Sequence, residues 1–146
     1  MGQRIAVAAD HGGFELKNHL AAMLQEAGHT VVDLGTNGAA SVDYPDYAKK
    51  AAHGIVAGEW DRAVLVCGTG LGMSMTANRV AGVRAACVSD TFSARFAREH
   101  NDANVLCLGA RVVGIGLAED LVRAWLNAES STEPRHVARI QKIDTP

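Results

Sequence analysis

Five short, continuously apolar runs alternate along this chain with helical patterns. The runs are Arg4–Ala9, Thr30–Leu34, Arg62–Cys67, Val83–Val88 and Asn104–Leu108. None shows the in-out alternation of a half-solvated strand, so each reads as a strand covered on both faces. After the first run, Leu16, Leu20, Met23, Leu24 and Ala27 fall on one face of a helix. Gly28 follows where a helix takes a left-handed residue. A second helix is predicted over Tyr47–Ala57, with Pro45-Asp46 at its start and Gly58 at its close. Gly70–Arg79, Asp90–Glu99 and Ile115–Asn127 complete the set, the last with Leu117, Leu121 and Trp125 in register. Five βα units predict an α/β fold: one doubly wound, Rossmann- or flavodoxin-like domain with a five-stranded parallel sheet, over residues 1–127. Residues 128–146 form a tail. It is small and polar over Ala128–Thr132, then Glu133-Pro134, then helical over Arg135–Ile143. This tail is expected to pack on a partner subunit.

Composition narrows the function. A net charge of −2 makes no electrostatic case for nucleic acid or an anionic membrane. No apolar run reaches the ~18 residues of a membrane span. Met1-Gly2-Gln3-Arg4 leads straight into a strand pattern without the charged and apolar regions of a signal peptide, which predicts a cytoplasmic protein. Three widely spaced cysteines, Cys67, Cys87 and Cys107, form neither a disulfide framework nor a zinc pattern. Cys87 and Cys107 lie inside strand patterns and read as buried small hydrophobes. His19, His29 and His53 read as surface residues without partners. There is no HExxH, no CxxC and no acidic cluster, so no metal is expected.

Ligands of an open parallel sheet sit beyond the carboxyl ends of its strands. Polar and reactive residues collect there. Asp10-His11 follows the first strand, Cys67-Gly68-Thr69-Gly70-Leu71-Gly72 the third, and Gly109–Arg111 the fifth. The third segment is the sharpest. A buried strand delivers a thiol to a glycine-rich turn that opens a helix, where backbone N–H groups favour a thiolate and hold an oxyanion. Cys67 is therefore a candidate base or nucleophile. The plain alternative is a tight turn beside a half-buried thiol. A dinucleotide site fits less well, because the spacing is G-x-G-x-G, Met73 stands at the third glycine, and the motif follows the third strand.

The other segments are ambiguous alone. Asp10-His11 could fix a hydroxyl and a phosphate, or Asp10 could cap a helix beside a solvated histidine. His100 suits proton transfer near neutrality, or it and Arg98 favour a helix C-terminus that Asn101 caps. Arg135 and Arg139 share a helix face, where an anion would relieve their repulsion, or they are a solvated basic face. Arg111 could join the same anion.

Taken together, these segments resemble the RpiB/LacAB family of sugar-phosphate isomerases. The resemblance runs in order through Asp10–Lys17, Asp43–Ala48, Cys67–Ser74 with Ala77-Asn78, Gly82–Ala85, His100–Leu106 and Gly109–Gly114, with Arg135-His136 and Arg139 behind. It implies an aldose–ketose isomerase without metal or organic cofactor, interconverting ribose 5-phosphate and ribulose 5-phosphate through an enediolate. Cys67 would be the base. His100 would open the furanose ring, with Thr69 assisting. The loop amides of Gly68, Gly70, Leu71 and Gly72 would hold the enediolate oxygen. Asp10 would orient hydroxyls, Asn101 would bind near the reacting carbons, and Tyr44 would line the site. His11, Arg111, Arg135 and Arg139 would hold the phosphate. Some relatives use a glutamate from the glycine loop; Leu71 and its neighbours carry no acid here, which favours Cys67. The resemblance further implies homodimers or dimers of dimers with shared sites. The family often places Gly-Gly before the Arg-His element, where this chain has Glu133-Pro134. A sibling isomerase of six- or four-carbon sugar phosphates, and a phosphate- or nucleotide-sensing module without catalysis, are the competing readings.

Overall fold

The computed structural model describes residues 2–146. Its elements run β1 (Arg4–Ala9), α1 (Phe14–Glu26), β2 (Thr30–Asp33), α2 (Tyr44–Ala57), β3 (Arg62–Cys67), α3 (Leu71–Ala77), β4 (Ala85–Cys87), α4 (Thr91–Glu99), β5 (Val105–Gly109), α5 (Ile115–Asn127) and α6 (Pro134–Asp144). The five strands form one parallel sheet in the order β2-β1-β3-β5-β4. The predicted doubly wound α/β domain is present, and α6 follows it.

Burial explains the strand order. All residues of β3 and β5 are buried, and so is β1 beyond Arg4, so these three occupy the interior. β2 and the short β4 are only partly buried and take the edges. β5 consequently lies between β3 and β4, out of sequence order. β4 is also shorter than the predicted Val83–Val88, and its edge position leaves Cys87 exposed rather than buried; of the two cysteines read as buried small hydrophobes, Cys107 alone is in the core.

Each face of the sheet carries one core. Ile5, Val7, Ala9, Val64, Val66, Leu106 and Leu108 pack against α1 and α5, where Leu20, Leu24, Leu121 and Trp125 are buried. Ala6, Ala8, Ala63, Leu65, Val105 and Cys107 pack against α2 and α3 through Ala48, Ala51, Ala52, Met73 and Ala77. Small residues on this second face let α2 lie close to the sheet. No helix among the described residues is long and apolar enough to cross a membrane.

Several helix ends differ from expectation. α2 begins at Tyr44 because the extended Asp43 precedes it and Pro45 fits its first turn. α3 is only Leu71–Ala77, since Gly70 adopts a left-handed φ of 80° that a helix cannot contain. α4 does not close on Asn101: His100 is its C-cap, and Asp102 takes the left-handed position at φ 47°.

The tail turns back along the amino ends of the strands. Ser131 N–H donates to the carbonyl of Glu99 at 2.8 Å, and Asp144 pairs with Arg84 beside β4 at 2.9 Å. The same edge holds the buried Arg62, its guanidinium 5.4 Å from the Trp125 ring. Burial foremost, and then the charge of Arg98, lowers the Arg62 pKa to about 10.

Candidate active site

The sequence-predicted residues separate into two groups at opposite edges of the sheet. The first lies beyond the carboxyl ends of β1 and β3, where the connection leaving β1 goes to one side and the connection reaching β3 comes from the other. Such a switch point opens a crevice. Asp10 N–H donates to the Val66 carbonyl at 3.3 Å and so ties the loop after β1 to β3. The Asp10 side chain is buried, and its Oδ1 accepts the Gly12 N–H at 2.9 Å. This is a turn within the loop rather than a helix cap: the N-cap of α1 is Gly13.

Cys67 ends β3, nearly buried. Its Sγ accepts the Gly70 N–H at 3.1 Å, which fixes the sulfur at the mouth of the glycine loop. Thr69 Oγ1 accepts the Leu71 N–H at 3.3 Å. The glycine loop is therefore partly self-satisfied: two of its amides already serve Cys67 and Thr69, two of the three side chains predicted for catalysis. Gly72 is required by Tyr44. A Cβ there would lie 2.3 Å from the Tyr44 ring, so the aromatic side chain rests directly on the loop backbone. Arg111 joins this group, its N–H donating to the Gly68 carbonyl at 3.0 Å and its side chain passing over Gly68.

His11 is fixed by a different route. The Val42 N–H donates to His11 Nδ1 at 3.2 Å, which leaves Nε2 as the ring's N–H donor. Val42 belongs to the long connection after β2, and Lys17 anchors that connection. Lys17 is completely buried, and its Nζ reaches Asp33 at 2.6 Å and Asn37 at 2.7 Å. Asp33 also accepts the Gly35 N–H at 2.8 Å.

Cys87 lies beside this group. Its Sγ is 3.6 Å from the Thr69 carbonyl, within reach for the thiol to donate, and a Cβ on Gly70 would come within 2.9 Å of it. Partial burial foremost, then the neighbouring Cys67, pushes the Cys87 thiol pKa up and keeps it protonated.

The second group lies at the amino edge. His100 lies against two rings: it is tilted by 56° on Phe96 at 4.5 Å, one turn earlier in α4, and stacked on His136 of α6 at 4.2 Å with 13° between planes. His136 is buried, and its pKa is lowered by that burial and then by the charges of His100 and Arg135, with Glu133 opposing. Arg135 and Arg139 stand one turn apart on α6. Arg135 is not free: its Nε meets Glu133 Oε2 at 2.9 Å. Asn101 follows His100 and lines a cavity of about 780 Å³ between β4 and the end of α6, which holds none of the other predicted site residues.

Within one chain the two groups do not meet. β5 runs from Val105, just after the His100 turn, to Gly109, the register partner of Cys67. Its five residues alone span about 13 Å at ~3.3 Å per residue. Asp10, His11, Tyr44, Cys67–Gly72 and Arg111 thus form one half. His100, Asn101, Arg135 and Arg139 form the other.

Some functional neighbours were missed from sequence. Lys17 falls on the buried stripe of α1, three residues before Leu20 and seven before Leu24, and a lysine on that stripe demands a partner. The His136 stack and the Glu133–Arg135 pair had no periodic signal. His19 pairs with Glu119 at 3.2 Å, and His29 accepts the Gln3 N–H at 3.1 Å, so neither is the partnerless surface residue expected.

A parallel sheet of this order places its ligand crevice at the β1/β3 switch point, and the Cys67 thiol lies there. The chain matches the family described as Ribose/Galactose Isomerase over residues 5–143. It is 45% identical over 141 residues to ribose-5-phosphate isomerase B of Escherichia coli, covering 97% of this chain and 94% of that one. It is 46% identical over 126 residues to D-erythrulose-4-phosphate isomerase of Pectobacterium atrosepticum, covering 86% and 83%. The solved structure of ribose-5-phosphate isomerase B from Clostridium thermocellum superposes with a TM-score of 0.94 at 50% identity, covering 97% and 95%. The chain belongs to the RpiB/LacAB family of sugar phosphate isomerases.

Proposed function

We propose that this chain interconverts ribose 5-phosphate and ribulose 5-phosphate, in a site where the carboxyl-edge group of one copy meets the amino-edge group of a second. The observation that carries the reaction type is the Cys67 thiol, held at the end of a buried strand with an N–H aimed at its sulfur. His100 of the partner subunit protonates the ring oxygen as the furanose opens to the aldehyde. Cys67 then takes the C2 proton, the C2–H electrons form the C1=C2 bond, and the carbonyl oxygen becomes the enediolate oxygen. Amides of the Gly68–Gly72 loop stabilise it. Cys67 returns the proton to C1, and the O2 proton moves to O1, leaving the ketose. Thr69 assists the ring opening, Asp10 orients hydroxyls, Tyr44 walls the site against Gly72, and Asn101 binds near the reacting carbons. His11 offers Nε2–H to the phosphate alongside Arg111 and the second copy's Arg135 and Arg139.

The separation of the two groups supports a homodimer, or a dimer of dimers, as the working unit, with the 128–146 tail reaching its partner's site. The match to an enzyme named for a four-carbon sugar phosphate favours a second reading, the same chemistry on erythrulose 4-phosphate. The test is deuterium exchange by NMR with ribose 5-phosphate in D₂O. Wild type should place label at C2 of recovered ribose phosphate and form ribulose phosphate. Cys67→Ala should lose both by about a hundred-fold or more while still binding substrate. Exchange with a tetrulose phosphate but none with ribose 5-phosphate would select the second reading.

A further inference from the structure

The amino-edge group contains its own counter-ion. Glu133 is the N-cap residue of α6, its carbonyl accepting the N–H groups of His136 and Val137. Ser131 Oγ accepts the Glu133 N–H at 3.1 Å, and the Ser131 N–H is tethered to Glu99 at the end of α4. The backbone before α6 is thus pinned where its first side chain overhangs the basic cluster. Glu133 Oε2 lies 2.9 Å from Arg135 Nε and 3.9 Å from His136 Nε2. A carboxylate is also favoured at a helix N-terminus, which holds it there.

A guanidinium takes a phosphate through two parallel N–H groups. With Nε engaged by Glu133, the side-on Nε–Nη fork of Arg135 is half occupied. Resting on the reading that Arg135 and Arg139 hold the substrate phosphate, we propose that Glu133 sets affinity: its carboxylate occupies Arg135 until a phosphate displaces it. The displacement cost is subtracted from every phosphate that binds there, so Glu133 weakens phosphate binding overall. Arg135 and Glu133 are 67% and 59% exposed, so the pair is screened and the effect is modest.

The test measures dissociation constants for inorganic phosphate and ribose 5-phosphate by calorimetry on the full chain. Wild type, Glu133→Gln, Arg135→Ala and the double variant are compared, each checked for native circular dichroism. Glu133→Gln should bind both ligands about two- to five-fold more tightly, with the gain appearing in KM rather than kcat. In the Arg135→Ala background the same substitution should change nothing. Unchanged or weaker binding by Glu133→Gln, with Arg135→Ala clearly impaired, overturns the role of Glu133 alone. If Arg135→Ala binds phosphate as well as wild type, the phosphate reading itself fails.

Discussion

At the carboxyl edge, side chains are held mainly by backbone. Cys67 receives the Gly70 N–H, Thr69 the Leu71 N–H, Asp10 the Gly12 N–H and His11 the Val42 N–H. At the amino edge, side chains are held by other side chains: His100 lies between Phe96 and His136, and Arg135 against Glu133. The difference suits the two tasks. A base must sit at a fixed distance from a carbon, and backbone anchoring supplies that. The arginines proposed to grip the phosphate from the amino edge work from an exposed helix face whose contacts exchange readily with water.

The largest expected effect strikes the backbone-anchored edge. Lys17→Met keeps the volume of the stem but leaves Asp33 and Asn37 without their ammonium partner. Lys17 is fully buried but the Asp33 side chain is 39% exposed and can be rehydrated, so losing the pair costs about 1–2 kcal/mol. The cost should appear as a lowered midpoint in urea denaturation, with KM raised because Val42 no longer steadies His11. A variant with unaltered stability and KM would mean that the connection after β2 holds itself.

A smaller effect is expected at the amino edge, and it depends on pH. The folded pKa of His136 is lowered by burial first and then by His100 and Arg135. The unfolded chain therefore binds this proton more readily than the folded one. Stability contributed by neutral His136 is present above the ordinary imidazole range near 6.5 and is lost as pH falls through the lowered folded value. His136→Phe, which keeps a ring against His100, should flatten the acid limb of the stability profile while retaining most of kcat. An acid limb as steep as that of wild type would remove His136 from this role.

What could be read from sequence follows the same division. Continuous apolar runs at βα spacing gave the parallel sheet, and the rule for strand carboxyl ends located Asp10, Cys67 and Arg111, because all three depend on local order. The placement of β5 inside β4 was not legible: it turns on the comparative burial of two apolar runs, which sequence shows only as similar. Cys87 was misread for the same reason, since an edge strand and an inner strand can carry the same three residues. Segments such as His100-Asn101 looked like an ordinary helix end in isolation, and within one chain they still do. In the function proposed above, their role depends on a contact between two copies.

That contact is the central claim, and subunit mixing tests it most directly. Cys67→Ala and His100→Asn are each expected to be nearly inactive alone. Unfolded together in equal amounts and reassembled, half of the resulting dimers would pair one of each, and every mixed dimer would hold one site with both native groups. Activity should return to about a quarter of wild type. No recovery, with mixed dimers demonstrated by mass spectrometry, would mean that Cys67 and His100 do not serve one site across two copies.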